Sequence, residues 1–272
     1  MSAASSPLLA VEQARFGWPE LPPCLDRLSF QIAAGERVVL LGPNGGGKST
    51  LLKILNALIF PQQGELRWKG CALDRASLGQ RDFARDFRRS CTLLFQHPEA
   101  MLFNPTVRDE IAYGPRQLGL ADIEQRVQRW ATPLQLDALL DQPPFVLSGG
   151  QKQKLALACL LALEPELLLL DEPSASLDPR TVGWLIDELL DAQRDAPRTL
   201  LVATHNLSLA AELGERALVL GPQGRLLFDG PIEHALSDTA LLEAANLTHR
   251  HRHRHGGHAH SHAHAHDWEA TR

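Results

Sequence analysis

The sequence has little cysteine, no long apolar run and no surplus of basic charge. Its four cysteines (Cys24, Cys71, Cys91, Cys159) are scattered with no CxxC spacing. That argues against a disulfide scaffold or a cysteine zinc site and fits a reducing compartment. The longest greasy stretch, Leu155 to Leu170, is interrupted by Glu164-Pro165-Glu166, whereas a bilayer span needs roughly 18 to 20 unbroken apolar residues. The N-terminus, MSAASSPLLAVEQ, lacks a basic n-region and a long apolar core, so no signal peptide is expected. A formal charge of −5 gives no electrostatic case for nucleic acid, and neither internal repeats nor coiled-coil heptads are visible. What remains is a chain of 272 residues, 44% hydrophobic and 22% charged. That is enough to bury a core without staples, as one large α/β domain or two small ones, and the expectation is a soluble, intracellular protein.

Histidine is the exception to ordinary composition. Nine of the 12 histidines fall between His249 and His266. Residues 247–272 carry four arginines against Asp267 and Glu269, a net of +2, which leaves −7 for residues 1–246. A mildly acidic body thus ends in a histidine-rich tail. From Asn246 on, aliphatic residues nearly vanish, and the tail is expected to be disordered.

Along the body, residues 8–12 and 28–32 read as strands around the Pro-rich loop 19–23, and Arg37 to Leu41 as a buried strand. A helical pattern follows from Leu51 to Leu58, then strands over residues 65–69 and 91–95. Residues 105–140 turn helical and more polar, with Gly114, Pro115 and Gly119 as breaks. Then come a helix over 151–163, a strand over 167–170, and helix–strand alternation from 181 to 229. This order predicts a largely parallel sheet with helices on both faces.

Two segments carry phosphate chemistry. Gly42-Pro43-Asn44-Gly45-Gly46-Gly47-Lys48-Ser49 fits GxxxxGK[ST] between an apolar strand and a helix. Its glycines let backbone N–H groups converge on phosphate oxygens, and the helix beginning near Lys48 points its positive end at them. Lys48 supplies charge to the β- and γ-phosphates, and Ser49 can hold Mg²⁺. Downstream, the strand Leu167–Leu170 ends in Asp171-Glu172. Asp171 would bind Mg²⁺ and Glu172 would orient or deprotonate the attacking water. Taken alone, the acidic pair could equally cap the next helix.

With Leu147-Ser148-Gly149-Gly150-Gln151 the sequence resembles the ATP-binding subunits of ABC transporters, whose signature is LSGGQ. Gln96 matches the Q-loop glutamine, Ser174 to Asp178 the D-loop, and His205 the switch histidine, all in family order over about residues 8–245. The resemblance implies an ABC-type P-loop NTPase: a mostly parallel core sheet, an N-terminal β subdomain and a helical signature subdomain at about 97–165. Residues 1–245 would form this domain and 246–272 the tail. It implies a transport-coupled ATPase in which Glu172, His205, Gln96 and Lys48 act in catalysis. Gly42 to Thr50 and Trp18 would bind ATP, and Ser49, Gln96 and Asp171 would hold Mg²⁺. Trp18 aligns with the aromatic that stacks on adenine, although Trp18 or Phe16 could instead be core. The resemblance further implies a head-to-tail dimer with a second ATPase subunit, identical or related. Ser148, Gly149, Gly150, Gln151 and Asp178 of one chain would complete the ATP site of the other.

The run Phe95 to Pro115, FQHPEAMLFNPTVRDEIAYGP, is similar to ATPases of energy-coupling-factor importers, which take up cobalt, nickel and vitamins. It implies an integral membrane transport component as partner and a peripheral place on the cytoplasmic face of the membrane. Imidazoles at mostly every second residue of the tail suit Ni²⁺, Co²⁺ or Zn²⁺. The candidate ligands are His251, His253, His255, His258, His260, His262, His264 and His266. Nickel or cobalt is the expected cargo, with zinc or a vitamin such as biotin as rivals. A purification tag, or a solvated low-complexity tail, is the plainer account of those histidines. A DNA- or ribosome-directed ABC ATPase and a metal-storage protein are the other classes considered. Gly46 stands where relatives have Ala, Ser or Cys, Val146 where an acid is common, Lys152 and Lys154 where arginine is common at one place, and Asn206 where Asp is usual. None removes a group that the chemistry needs.

Overall fold

The computed structural model describes residues 7–175, 177–195, 198–255 and 258–265, and side chains outside 191–197 and 249–272. In chain order, the first elements are β1 (Leu9–Phe16), β2 (Leu25–Ile32), β3 (Arg37–Leu41), α1 (Lys48–Leu55), β4 (Gln63–Trp68) and β5 (Cys71–Ala72). Then come α2 (Arg75–Leu78), α3 (Arg81–Ser90), β6 (Cys91–Leu94), α4 (Val107–Gln117), α5 (Ile123–Ala131), α6 (Gly149–Leu161), β7 (Leu167–Asp171) and α7 (Pro179–Asp195). The chain continues through β8 (Thr199–Ala203), α8 (Leu207–Leu213), β9 (Arg216–Leu220), β10 (Leu226–Pro231), α9 (Ile232–Ser237), α10 (Thr239–Ala244), β11 (Thr248–His255) and β12 (His258–Ala265).

The central sheet has the order β10-β9-β3-β8-β7-β6, parallel throughout except for β10. Its parallel strands are buried on both faces, as crossover helices require, while the antiparallel edge strand β10 is part-exposed. Leu169 belongs to the core beneath α1 and the first strands, while Leu168 and Leu170 belong to the core shared with α4, α6 and α7. The N-terminal strands form a separate antiparallel sheet, β2-β1-β4-β5. Parallel pairing brings the C-terminal ends of β3, β6, β7 and β8 to one edge, where ligands of open α/β sheets bind.

Two sequence expectations differ from the structure. Gly114 and Pro115 do not break the insert; both lie inside α4. Pro115 falls in the last turns and is buried, and a Cβ at Gly114 would lie 2.9 Å from Leu163 Cδ2. Close packing of α4 against the end of α6 therefore outweighs local propensity. The tail is not unstructured over the described residues: β11 and β12 pair as an antiparallel ribbon that joins neither other sheet. Alternation of His with Arg or Ala has the period of a strand, which composition-based reasoning overlooked. No helix among the described residues is long and apolar enough to cross a membrane.

Candidate active site

The expected phosphate residues converge in one cleft of about 560 Å³ at the C-terminal edge of the central sheet. From β3 and its following loop come Pro43, Asn44, Gly45, Gly47, Lys48, Ser49 and Thr50. Gln96 follows β6, and Asp171 and Glu172 end β7. Trp18 lines the opposite wall with Leu21, Pro22 and Cys24. Gly42 and Gly46 do not face the cleft but shape the loop. A Cβ on Gly46 would lie 2.9 Å from both the Pro43 ring and its carbonyl oxygen. Glycine there answers a packing demand, not only the backbone freedom read from the sequence. Gly47 has φ +92°, and a Cβ there would meet Cys24 O at 2.6 Å. The loop leans on the start of β2, and only glycine fits.

Gly47 is also the N-cap of α1, with no side chain capping the helix. The first N–H groups of α1 are thus left for a ligand, and an anion is the partner they favour. Lys48 is buried and donates to Gly42 O at 2.8 Å and Pro43 O at 3.2 Å. Burial lowers its pKa, against the pull of Glu172 and Asp171. The Asp171 carboxyl is pushed up by burial, while a hydrogen bond with the Ser49 side chain pulls it down, Glu172 pushes it up and Lys48 and Lys53 pull it down. Both charges are short of solvent. An anion beside Lys48 and a cation beside Asp171 would each supply what burial removes. The Ser49 hydroxyl, the Gln96 amide oxygen and the Asp171 carboxylate are hard oxygen donors, and all line this cleft. That set fits Mg²⁺.

Glu172 is 7% exposed and has φ +48°, a left-handed conformation that a non-glycine residue adopts at a cost. Its Oε2 accepts from Thr204 Oγ1 at 3.0 Å and its Oε1 lies 2.9 Å from His205 Nδ1. The switch histidine expected at a γ-phosphate is here on the carboxylate. Thr204 was not singled out in the sequence, and Gln153, which donates to Pro173 O at 3.3 Å, figures there only between Lys152 and Lys154, where relatives commonly have an arginine. No motif marks Thr204 apart from its place beside His205. Trp18 is 39% exposed, set edge-on against Phe16 at 5.1 Å, and so is not core. Phe16 is buried.

The signature residues stand elsewhere. None of Ser148, Gly149, Gly150 and Gln151 lines the cleft. Ser148 is the N-cap of α6 in a capping box: its Oγ accepts from Gln151 N at 3.3 Å, and Gln151 Oε1 accepts from Ser148 N at 2.9 Å. Gly149 faces open space, where an added Cβ would have no neighbour within 4 Å among the described residues. Asp178 accepts from the Thr181 hydroxyl at 2.6 Å and the Thr181 N–H at 3.0 Å, and Lys154 Nζ lies 3.5 Å away. These contacts hold its carboxyl down at about 2. Ser176 lies outside the described residues.

After Gln96, the buried Glu110 of α4 accepts from Phe103 N at 2.9 Å and Asn104 N at 2.6 Å. It clamps the loop and leaves Phe103 and Tyr113 exposed, edge to face at 4.9 Å. In the tail, register sets His251 opposite His262, His253 opposite His260 and His255 opposite His258. Their side chains, and His266 altogether, lie outside the described residues.

Comparison with known proteins agrees with this geometry. The ABC transporter family profile matches residues 25–175. The nickel import ATP-binding protein NikO of Rhodobacter capsulatus is 40% identical over 247 residues, 89% of this chain and 96% of that protein. The cobalt import ATP-binding protein CbiO of the same organism is 39% identical over 244 residues, 89% and 85% respectively. Among solved structures, cbiO1 from Clostridium perfringens, part of the ABC transporter complex cbiONQ, superposes with a TM-score of 0.72 at 28% identity. That match covers 89% of this chain and 95% of that one.

Proposed function

This chain belongs to the ABC transporter family, and on that premise we propose that it energises import of a transition-metal ion, nickel or cobalt, through a separate membrane protein. It is an ATPase subunit of an importer. The observation that carries the mechanism is the separation of two halves. One cleft holds Lys48, Ser49, Gln96, Asp171 and Glu172, while Ser148 to Gln151 lie outside it. A second ATPase subunit, identical or related, would bring its signature to this cleft with the helix start of α6 aimed at the nucleotide.

In that arrangement Lys48 leaves the Gly42 and Pro43 carbonyls for the β- and γ-phosphates. The uncapped start of α1 receives phosphate oxygens, and Trp18 flanks the base. Ser49, Gln96 and Asp171 would hold Mg²⁺, which when bound draws charge from the phosphates. Glu172 orients or deprotonates the attacking water, and His205 moves from Glu172 to the γ-phosphate. Binding closes the dimer and hydrolysis with product release opens it; Asp178 lies at the interface. The face bearing Phe103 and Tyr113 would meet the membrane component, and the subunit would sit peripherally on the cytoplasmic side. No nucleic acid is involved.

Two supports favour a metal cargo: relatives named for nickel and cobalt import, and the histidines of the tail, which would collect or sense metal in the cytoplasm. Uptake of nickel, cobalt, zinc and biotin in whole cells, comparing the native chain with Glu172→Gln, tests the reading. Collapse of nickel or cobalt uptake alone is expected. Loss of biotin or zinc uptake with nickel and cobalt unchanged would overturn the cargo but leave the ATPase assignment standing.

A further inference from the structure

The carboxylate of Glu172 has two oxygens and two unlike partners. His205, on Oε1, has a 48% exposed side chain on the turn between β8 and α8, and is placed to exchange partners. Thr204, on Oε2, is fully buried. Its backbone N–H donates to Leu40 O at 3.2 Å, which ties it to β3, the strand that precedes the phosphate loop. Its hydroxyl accepts from Asn206 N at 3.1 Å. A hydroxyl has one proton to give, and with the Asn206 N–H on a lone pair, that proton is directed to Glu172. Threonine is also stiff at χ1, so the donor is aimed before any ligand arrives.

Such an anchor has work to do. Glutamate loses rotamer freedom when fixed, and a base must lie within hydrogen-bond reach of its water. The left-handed backbone of Glu172, φ +48°, adds a further cost. That backbone is held by Glu172 N donating to Ala203 O at 2.9 Å and by Gln153 on Pro173 O. Among the described residues, Thr204 and His205 are the two hydrogen-bonding partners of the carboxylate itself.

We propose that Thr204 is the positioning residue for Glu172: it holds Oε2, so that Oε1 alone turns to the nucleotide when His205 is drawn away. The proposal rests on the reading of Glu172 as the residue that handles the attacking water. Thr204 touches neither nucleotide nor water; it acts through Glu172.

The test is steady-state ATP hydrolysis by the purified full-length chain carrying Thr204→Val or Thr204→Ser, each alone and with Glu172→Gln, alongside Glu172→Gln itself. Thr204→Val should lower kcat by ~10- to 100-fold, the scale of a small misplacement of a reacting group. KM for ATP and ATP-dependent dimerisation should stay within about twofold, because an anchor realised at the chemical step changes kcat and not binding. Thr204→Ser should restore kcat to within about threefold of native. In the Glu172→Gln background, Thr204→Val should change nothing, since residues acting as one unit are non-additive. Unchanged kcat in Thr204→Val, a serine variant as impaired as the valine one, or additive losses in the double variant would each overturn the proposal. If valine prevents folding, Thr204→Ala replaces it under the same expectations. Normal turnover in Glu172→Gln would instead overturn the parent reading; an inactive Glu172→Gln beside a fully active Thr204→Val would sink only this one.

Discussion

Two helices of this molecule begin at glycine-rich turns, and the turns are prepared for opposite fates. At α1 the N-cap is Gly47, no side chain covers the first N–H groups, and a buried lysine and two acidic residues stand close by. At α6 the N-cap is Ser148, which closes a capping box with Gln151 on an exposed surface. One helix start is left without a side-chain cap, open to completion by an anion. The other is satisfied within its own first turn, so an incoming phosphate must offer more than the cap already gives. On the proposed reading, the contrast is why a lone chain would bind nucleotide at one end and wait for a partner at the other.

The largest effect is expected at the unfinished end. Glu172→Gln should slow hydrolysis by ~10²- to 10⁴-fold, the usual worth of a positioned general base, while ATP still binds and the closed dimer accumulates. A single-turnover measurement with dimer sizing checks this, and ordinary turnover would dissolve the distinction drawn between the two ends. Next, Lys48→Ala should weaken ATP binding by ~10- to 100-fold, the equivalent of one charge-assisted hydrogen bond. Nucleotide titration reads it, and unchanged affinity would remove the basis for calling α1 the ligand-completed helix. At the other end, Ser148→Arg should abolish ATP-driven dimerisation yet leave the monomer's ATP affinity within about threefold of native; a persisting ATP-induced dimer in size-exclusion chromatography would refute the two-ended picture. Ser148→Ala sharpens the comparison more gently: losing the cap should cost ~1 kcal/mol of stability, visible as a lower melting temperature.

The smallest effect lies where the two regions meet, at Asp178 between Lys154 of α6 and the start of α7. Thr181 first, and Lys154 after it, hold the Asp178 carboxyl down at about 2. A carboxyl depressed in the folded state stabilises it above the ordinary carboxylate range, and that support fades as pH falls through about 2. Thr181→Val should move the midpoint up toward 3.8, and an NMR pH titration of the Asp178 side chain checks the direction. No movement would mean that the α6–α7 contact is set by shape and not by these bonds.

Much of this is legible in the residues alone. Lys48, Ser49 and Asp171 stand out because phosphate chemistry admits few residue types at fixed spacings, His205 only through the family resemblance, and β3, β7 and β8 because strands buried on both faces need unbroken Val and Leu. What stays hidden is tertiary. Thr204 and Gln153 are polar residues without a motif, and only the register of β7 against β8 and the approach of α6 assign them partners. The helix α3, RDFARDFRRS, does carry an apolar stripe through Phe83, Ala84 and Phe87, but it is short and set among six charged residues, and a reading by composition passes over it. Pro115 inside α4 looks like punctuation because the contact with α6 that excuses it is long-range. The grip of Gly46 on Pro43 is likewise a matter of shape that a motif does not state.

The sheet order places β8 between β3 and β7. The strands that carry the phosphate loop and the acidic pair are therefore set two strand spacings apart, about 9.5 Å, and Ser49 reaches across that gap to Asp171. Opposite it, the proposed base wall is Trp18, part-exposed and propped on Phe16, with Leu21, Pro22 and Cys24 beside it. On the proposed reading, a phosphate side built on rigid strands and a base side walled by one half-exposed ring would make the cleft select for the number of phosphates more than for the base.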